Sequence, residues 1–197
     1  MVEPQVAVAA VTGRFQPFHV DHLSLVQHAL GRAERISVAI TNPDQRSLKA
    51  EPSSSHRHLD ASNPFTYRER ARAITAALLR DGVPAECFDV VPFPLDVPAV
   101  LASYVHPDAL QVVRIFSAWE RDKSDALEQY GYSVLRLQGS MESRVSASDI
   151  RRAIAEGQPW EHLVPPGVAE VLLEAGEDAL RARCAGKLSG DGGDVAR

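Results

Sequence analysis

A chain of 197 residues, 45 % of them hydrophobic, is the length of one domain with a real core. Its formal charge of −5 argues against a general nucleic-acid binder, which carries a basic face, although a local basic pocket fits within an acidic protein. The first residues lack a basic leader, their apolar run is too short to cross a bilayer, and two cysteines, Cys87 and Cys184, give neither a disulfide framework nor a metal spacing, so the chain reads as cytoplasmic with reduced thiols and no membrane partner.

In chain order, Val6–Val11 is an apolar run that predicts a buried strand. Gly13 follows it and lets the backbone turn sharply. Apolar spacing then predicts a helix over His22–Ala33 and a strand over Ile36–Ile40. Residues 43–62 are rich in Ser, Pro, Asp and His without periodicity and are too long for an ordinary connection, which predicts a mobile insert. Thr66 and Glu69 fit a capping box opening a helix over Tyr67–Leu79. Strands are expected at Phe88–Val91, Val112–Phe116 and Val134–Leu137. Helices are expected at Lys123–Tyr130, Ser148–Ala155 and Gly167–Ala182, with Ser146 and Asp149 a weaker capping box. The tail at 186–197 is Gly/Asp/Ser-rich and reads as disordered. Alternating strands and helices predict an α/β, Rossmann-like parallel sheet of about five strands with helices on both faces and a C-terminal helical segment, in one domain over 1–185.

Gly13-Arg14-Phe15-Gln16-Pro17-Phe18-His19-Val20-Asp21-His22 is the densest chemical signal. Residues three apart share a helix face, so His19 and His22 point the same way. They do so at a helix start, where free N–H groups and the dipole favour an anion, and Arg14 adds a fixed positive charge. This is a phosphate grip at the carboxyl end of the first strand. As zinc ligands, His19, Asp21 and His22 are too close in sequence for tetrahedral geometry.

The stretch resembles the G-R-F-Q-P-x-H-x-G-H signature of nucleotidyltransferases related to archaeal-type nicotinamide mononucleotide (NMN) adenylyltransferase. Three further stretches match in order. Asn63-Pro64-Phe65-Thr66 with Glu69-Arg70 resembles N-P-F-T-x-x-E-R. Ser146-Ala147-Ser148-Asp149-Ile150-Arg151 resembles I-S-x-T-x-I-R, and Gly157-Gln158-Pro159-Trp160-Glu161-His162-Leu163-Val164-Pro165 resembles G-x-P-W-x-x-L-V-P. The resemblance implies transfer of a nucleoside monophosphate, with the acceptor oxyanion attacking the α-phosphorus of a nucleoside triphosphate and pyrophosphate leaving. It implies that His19 and His22 contact the phosphates, with His22 stabilising the α-phosphate in the transition state. Arg14 and Arg151 would hold the β- and γ-phosphates, and Ser146 and Ser148 would hydrogen-bond them, beside Gly13, Phe15 and Asp21 on the nucleotide side. Mg²⁺ is the expected cofactor, held mostly by substrate oxygens and water. The partners are the triphosphate and a small anionic acceptor, and relatives of this family often form homo-oligomers. Thr66, Glu69 and Trp160 read as a cap and a packing anchor, and Arg152 as a solvated helix charge.

Three departures bear on the substrate. Asp21 replaces the family glycine, and its carboxylate must point away, meet a donor or bind a cation. Pro98 and Leu101 fall where the NMN enzymes carry an Asn and a Trp that fit the nicotinamide ring. Ala118-Trp119-Glu120 replaces T-G-N, and Trp119 at a strand end could stack on a base or pack under the nearby helix. A site without those groups was not built for NMN. The resemblance then looks closest to members of phosphonate natural-product pathways, such as a CTP:phosphonoformate cytidylyltransferase. The candidate acceptor contacts are Arg46, Lys49, His56 and His58 of the insert, with Arg68 and Arg70. An NMN adenylyltransferase with a diverged pocket, and a non-catalytic nucleotide-binding regulator, stay open as alternatives.

Overall fold

The computed structural model describes residues 6–44, 62–142 and 144–186. Five parallel strands form one sheet: β1 (Val6–Gly13), β2 (Ala33–Ile40), β3 (Phe88–Pro92), β4 (Leu110–Ile115) and β5 (Val134–Gln138), in the order β3-β2-β1-β4-β5. Among the described residues there are six α-helices: α1 (Val20–Leu30), α2 (Tyr67–Arg80), α3 (Ala118–Gln129), α4 (Ala147–Glu156), α5 (Pro166–Leu173) and α6 (Glu177–Cys184). All five strands lie within two residues of their expected positions at each end, except that β2 begins three residues early, at Ala33.

The inner strands are apolar on both faces because both faces are covered, as a parallel sheet requires. Val11, Ile36, Val38, Ile40 and Val112 meet α1, α2 and the C-terminal helices in one core. Ala10, Ala39, Val113 and Ile115 meet Leu127 of α3, Leu101 and Tyr132 in the other. Leu101 lies in the short helical turn Pro98–Ser103 and is 1 % exposed.

Strand order places the reversal of the chain's path between β1 and β4, where ligands bind in doubly wound folds. β1 stays in register with β2 as far as Gly13 opposite Ile40. With β4 it pairs only at Ala9–Leu110 and Ala10–Gln111. Beyond Ala10 the two strands part, and their carboxyl ends frame a crevice.

Three boundaries differ from the sequence reading. α1 stops at Leu30, where the Gly31 N–H caps the Gln27 carbonyl at 3.1 Å, and Ala33 instead pairs with Val6. α3 starts five residues early, because Ser117 and Glu120 form a reciprocal capping box. This puts Trp119 in the first turn of a helix rather than at a strand end. The single helix expected over Gly167–Ala182 is two, broken at Gly176, whose φ of 87° has no place inside a helix. Ser146 caps α4 by accepting the Ser148 N–H at 3.2 Å, but Asp149 pairs with Arg152 and does not close a box. Cys184 is the buried thiol, pushed up to about 11 by burial; Cys87 is half-buried. No helix among the described residues is long and apolar enough to cross a membrane.

Candidate active site

A cavity of about 290 Å³ occupies the crevice between the carboxyl ends of β1 and β4. The β1–α1 turn forms one wall, β4 and the start of α3 a second, and residues 144–148 a third. The helix starts of α1, α3 and α4 all converge on it.

The sharp turn expected at Gly13 is made two residues later. Phe15 has φ 52°, a left-handed conformation uncommon for a non-glycine residue, and a cis Gln16–Pro17 bond follows. Gly13 is required for a different reason: a Cβ there would lie 2.7 Å from the Phe15 ring. Phe15 is thereby folded back against His22, with ring centroids 4.9 Å apart and edge to face. Phe18 stacks on the same imidazole at 5.6 Å.

His19 is the N-cap of α1 and His22 its third residue. Their rings stack with centroids 3.6 Å apart, and the His19 N–H donates to His22 Nδ1 at 3.3 Å. Burial, then the Arg144 charge, lowers the His19 pKa to about 3. Burial, then His19, Lys123, Arg114 and Arg144, holds His22 well below its ordinary value. Both imidazoles are therefore neutral near pH 7. His19 Nδ1 is buried without a hydrogen-bond partner among the described residues.

Among the described residues, four cationic side chains line the cavity: Arg14, Arg114, Lys123 and Arg144. Arg14 donates to Asn63 Oδ1 at 3.4 Å, and the Lys123 ammonium donates to the Thr12 carbonyl at the end of β1. Arg114 on β4 reaches the Asp21 carbonyl and Ser24 Oγ, each at 3.4 Å. Arg144 lies 4.7 Å from the Phe116 ring centroid and 3.4 Å from a Glu120 carboxylate oxygen. Sequence reading found only Arg14 of these four. The others come from a strand, a helix face and a loop with no shared motif; only the parting of β1 and β4 brings them together. Trp119, half-buried, lines the same cavity, as do Gly13, Phe15, Asp21, Ser146 and Ser148. Of the choices open for Asp21, the carboxylate meets a donor, the Val145 N–H at 2.8 Å.

Other expected ligands are placed elsewhere. Arg151 is 6 % exposed and stands behind the cavity wall, donating to the Gln16 carbonyl at 2.7 Å and to Ser148 Oγ at 3.1 Å. In this structure it orients Ser148 and contributes no cavity surface, which corrects the expected direct phosphate contact. Arg70 is corrected more strongly. It is 2 % exposed, and its guanidinium donates to the carbonyls of Arg14, Thr41, Asn42 and Thr66 at 2.8–3.3 Å, so it braces the loops and is not an acceptor contact. Arg68 is exposed on α2, off the cavity wall. Arg46, Lys49, His56 and His58 lie outside the described residues.

The second motif explains how the first is held. Gln16 and Phe65 exchange two hydrogen bonds, at 2.9 and 3.0 Å, between a side-chain amide and a backbone. Asn63 takes Arg14, while Glu69 caps Thr66 and accepts Arg183 of α6 at 2.7 Å. Burial would raise Glu69, but hydrogen bonds from Arg183 and Thr66 hold it at about 2.

A crevice of cations, neutral imidazoles and helix starts suits a polyphosphate. The chain is 40 % identical over 168 residues to a phosphonoformate cytidylyltransferase of Streptomyces viridochromogenes, covering 85 % of this chain and 91 % of that one. This chain is a member of the nucleotidyltransferase family. A nicotinamide-nucleotide adenylyltransferase of Ignicoccus hospitalis is 31 % identical over 175 residues, covering 85 % and 92 % of the two chains. Among solved structures, a bifunctional NMN adenylyltransferase/ADP ribose pyrophosphatase from Francisella tularensis superposes with a TM-score of 0.68 at 14 % identity; the match covers 91 % of this chain and 52 % of that one, and shows the shared fold. No family model matches the chain. As a nucleotidyltransferase it is an enzyme, and its α/β fold is that of its relatives.

Proposed function

We propose that this nucleotidyltransferase transfers a nucleoside monophosphate, CMP in preference, from the triphosphate to a small phosphonate or phosphate such as phosphonoformate, releasing pyrophosphate. The observation that carries the choice of acceptor lies at residues 94–105. Leu101 is sunk in the core, Pro98 opens a tight helical turn, and no side chain of this stretch lines the cavity, so it offers no amide or aromatic group to a nicotinamide ring. The identity of 40 % to a phosphonoformate cytidylyltransferase, against 31 % to an adenylyltransferase, supports the same reading.

The acceptor oxyanion forms a bond to the α-phosphorus as the bond to the β-phosphate oxygen breaks. That electron pair leaves with pyrophosphate, and the protein supplies no covalent nucleophile. Its residues align the two anions and spread charge over donors already in place, chiefly His19, His22, Arg14, Lys123 and Arg144. Arg151 fixes the Ser148 hydroxyl. Mg²⁺, when bound, neutralises phosphate charge. Asp21 and Glu120, the carboxylates on the wall, already accept hydrogen bonds from Val145 and Ser117, and no group of three metal-ligating side chains gathers among the described residues. Such a cation would therefore ride on phosphate oxygens.

The test is pyrophosphate release with Mg²⁺, crossing ATP, CTP, GTP and UTP against NMN, phosphonoformate and other small phosphonates. Release with CTP and a small phosphonate is expected. Release with ATP and NMN instead would establish the adenylyltransferase reading, which the Ignicoccus relative favours.

A further inference from the structure

Position 21 is a glycine in the motif the first helix resembles, and an aspartate here. The side chain does what a glycine cannot: its Oδ2 accepts the Val145 N–H at 2.8 Å, across 124 residues of chain. Val145 lies between two residues of the cavity wall. Arg144, before it, covers the Phe116 ring and lines the cavity, where its charge helps keep His19 neutral. Ser146, after it, caps α4 and begins the run that carries Ser148.

Further along, Arg151 ties α4 to the β1–α1 turn through the Gln16 carbonyl at 2.7 Å, but at Arg144–Ser146 itself the described polar contacts other than the Asp21 bond are weaker. The Arg144–Glu120 contact is long, at 3.4 Å, with Arg144 a third exposed, and such pairs contribute little. The Asp21 bond has the length of a charge-assisted one, and it sits in the first turn of α1, where a carboxylate is favoured.

We propose that Asp21 is a positioning residue, whose carboxylate fastens Arg144–Ser146 to the start of α1 so that the wall is set before the triphosphate arrives. The proposal rests on the nucleotidyltransferase reading of the cavity and adds to it the device that pre-forms one wall. A wall that must order on binding weakens every phosphate complex alike, so the loss appears in affinity and KM more than in kcat.

The test uses the full chain with Asp21→Gly and Asp21→Asn. Exchange of the Val145 amide proton and the affinity for inorganic tripolyphosphate with Mg²⁺ are measured, with melting temperature as a control. Asp21→Gly should speed Val145 exchange and weaken tripolyphosphate, each about tenfold or more, with a fall in melting temperature of only about 5–10 °C that leaves the chain folded at 25 °C. An Asn oxygen accepts the same bond, so Asp21→Asn should recover most of both losses. Where turnover is seen, KM for the nucleotide should rise in Asp21→Gly while kcat stays within about threefold. Unchanged exchange, faster exchange with unchanged affinity, or an Asn variant as poor as the Gly variant in both would overturn the proposal. Failure of every nucleotide and acceptor to release pyrophosphate would sink the proposed function alone, because exchange and tripolyphosphate binding judge the Asp21 bond without turnover.

Discussion

His22 is packed on three sides by rings: Phe15 edge-on, Phe18 stacked and His19 stacked. An imidazole so fixed loses no rotamer freedom when it donates to a phosphoryl oxygen, which is what a preorganised transition-state donor requires. Being neutral, it offers an N–H without the cost of holding a buried charge beside Lys123 and Arg114. His22→Ala should therefore lower kcat on the order of 100- to 1,000-fold, with nucleoside triphosphate affinity changed less than about tenfold. Single-turnover pyrophosphate release and a binding titration separate the two, and a kcat loss under tenfold would remove His22 from the transition state. Arg151→Ala should act more mildly, through a Ser148 hydroxyl freed to rotate, whereas Arg152, exposed and paired with Asp149, has no line to the cavity.

At the scale of elements, the N-P-F-T-x-x-E-R stretch is a bracket. Arg70 gathers four carbonyls from three segments of chain, and Glu69 ties the start of α2 to α6. Arg70→Ala would take the side-chain donor from the Arg14, Thr41 and Asn42 carbonyls, while Thr66 keeps the backbone N–H of residue 70, and should cost several kcal/mol, at about 1–3 kcal/mol for each group left unmade. For a chain of this length that lowers the melting temperature by about 10 °C or more, while Arg68→Ala on the exposed face leaves it unchanged. Calorimetry of the two variants checks both. The strands were legible in the sequence because a parallel sheet buried on both faces leaves unbroken apolar runs, as at Val6–Val11. The start of α3 is equally legible in Ser117-x-x-Glu120, a capping box that lies upstream of the apolar periodicity beginning near Lys123. The histidine pair was legible because its geometry is local to one helix turn. Arg114, Lys123 and Arg144 were not, since their meeting is a property of the sheet's switch point. Nor could the burial of Arg70 be seen, since a basic residue on an amphipathic helix reads as solvated until the loops it braces are in place.

Across the whole molecule the site and the fold respond to acid in the same direction. His19 binds a proton at about pH 3 in the folded protein and near 6.5 when free, so between these values the unfolded chain holds the extra proton. Its contribution is fully present above pH 6.5 and is lost as pH falls toward 3. Glu69, held at about 2 against an ordinary 4.5, adds stability present above 4.5 and lost as pH falls toward 2. His22, also depressed, acts in the sense of His19. Acidification from pH 7 to 4.5 should thus cost about 2–3 kcal/mol through His19 alone, at about 1.4 kcal/mol for each pH unit below 6.5. That is a fall of about 5–10 °C in melting temperature. His19→Gln cannot take up the proton, so its melting temperature should change less over the same window, however stable the variant is at pH 7. A native profile flat from pH 7 to 4.5 would mean that the folded pocket gives His19 the proton affinity of a free imidazole, and a His19→Gln profile as steep as the native one that other groups carry the slope. Either result would remove the ground for treating His19 as a neutral donor held ready by burial.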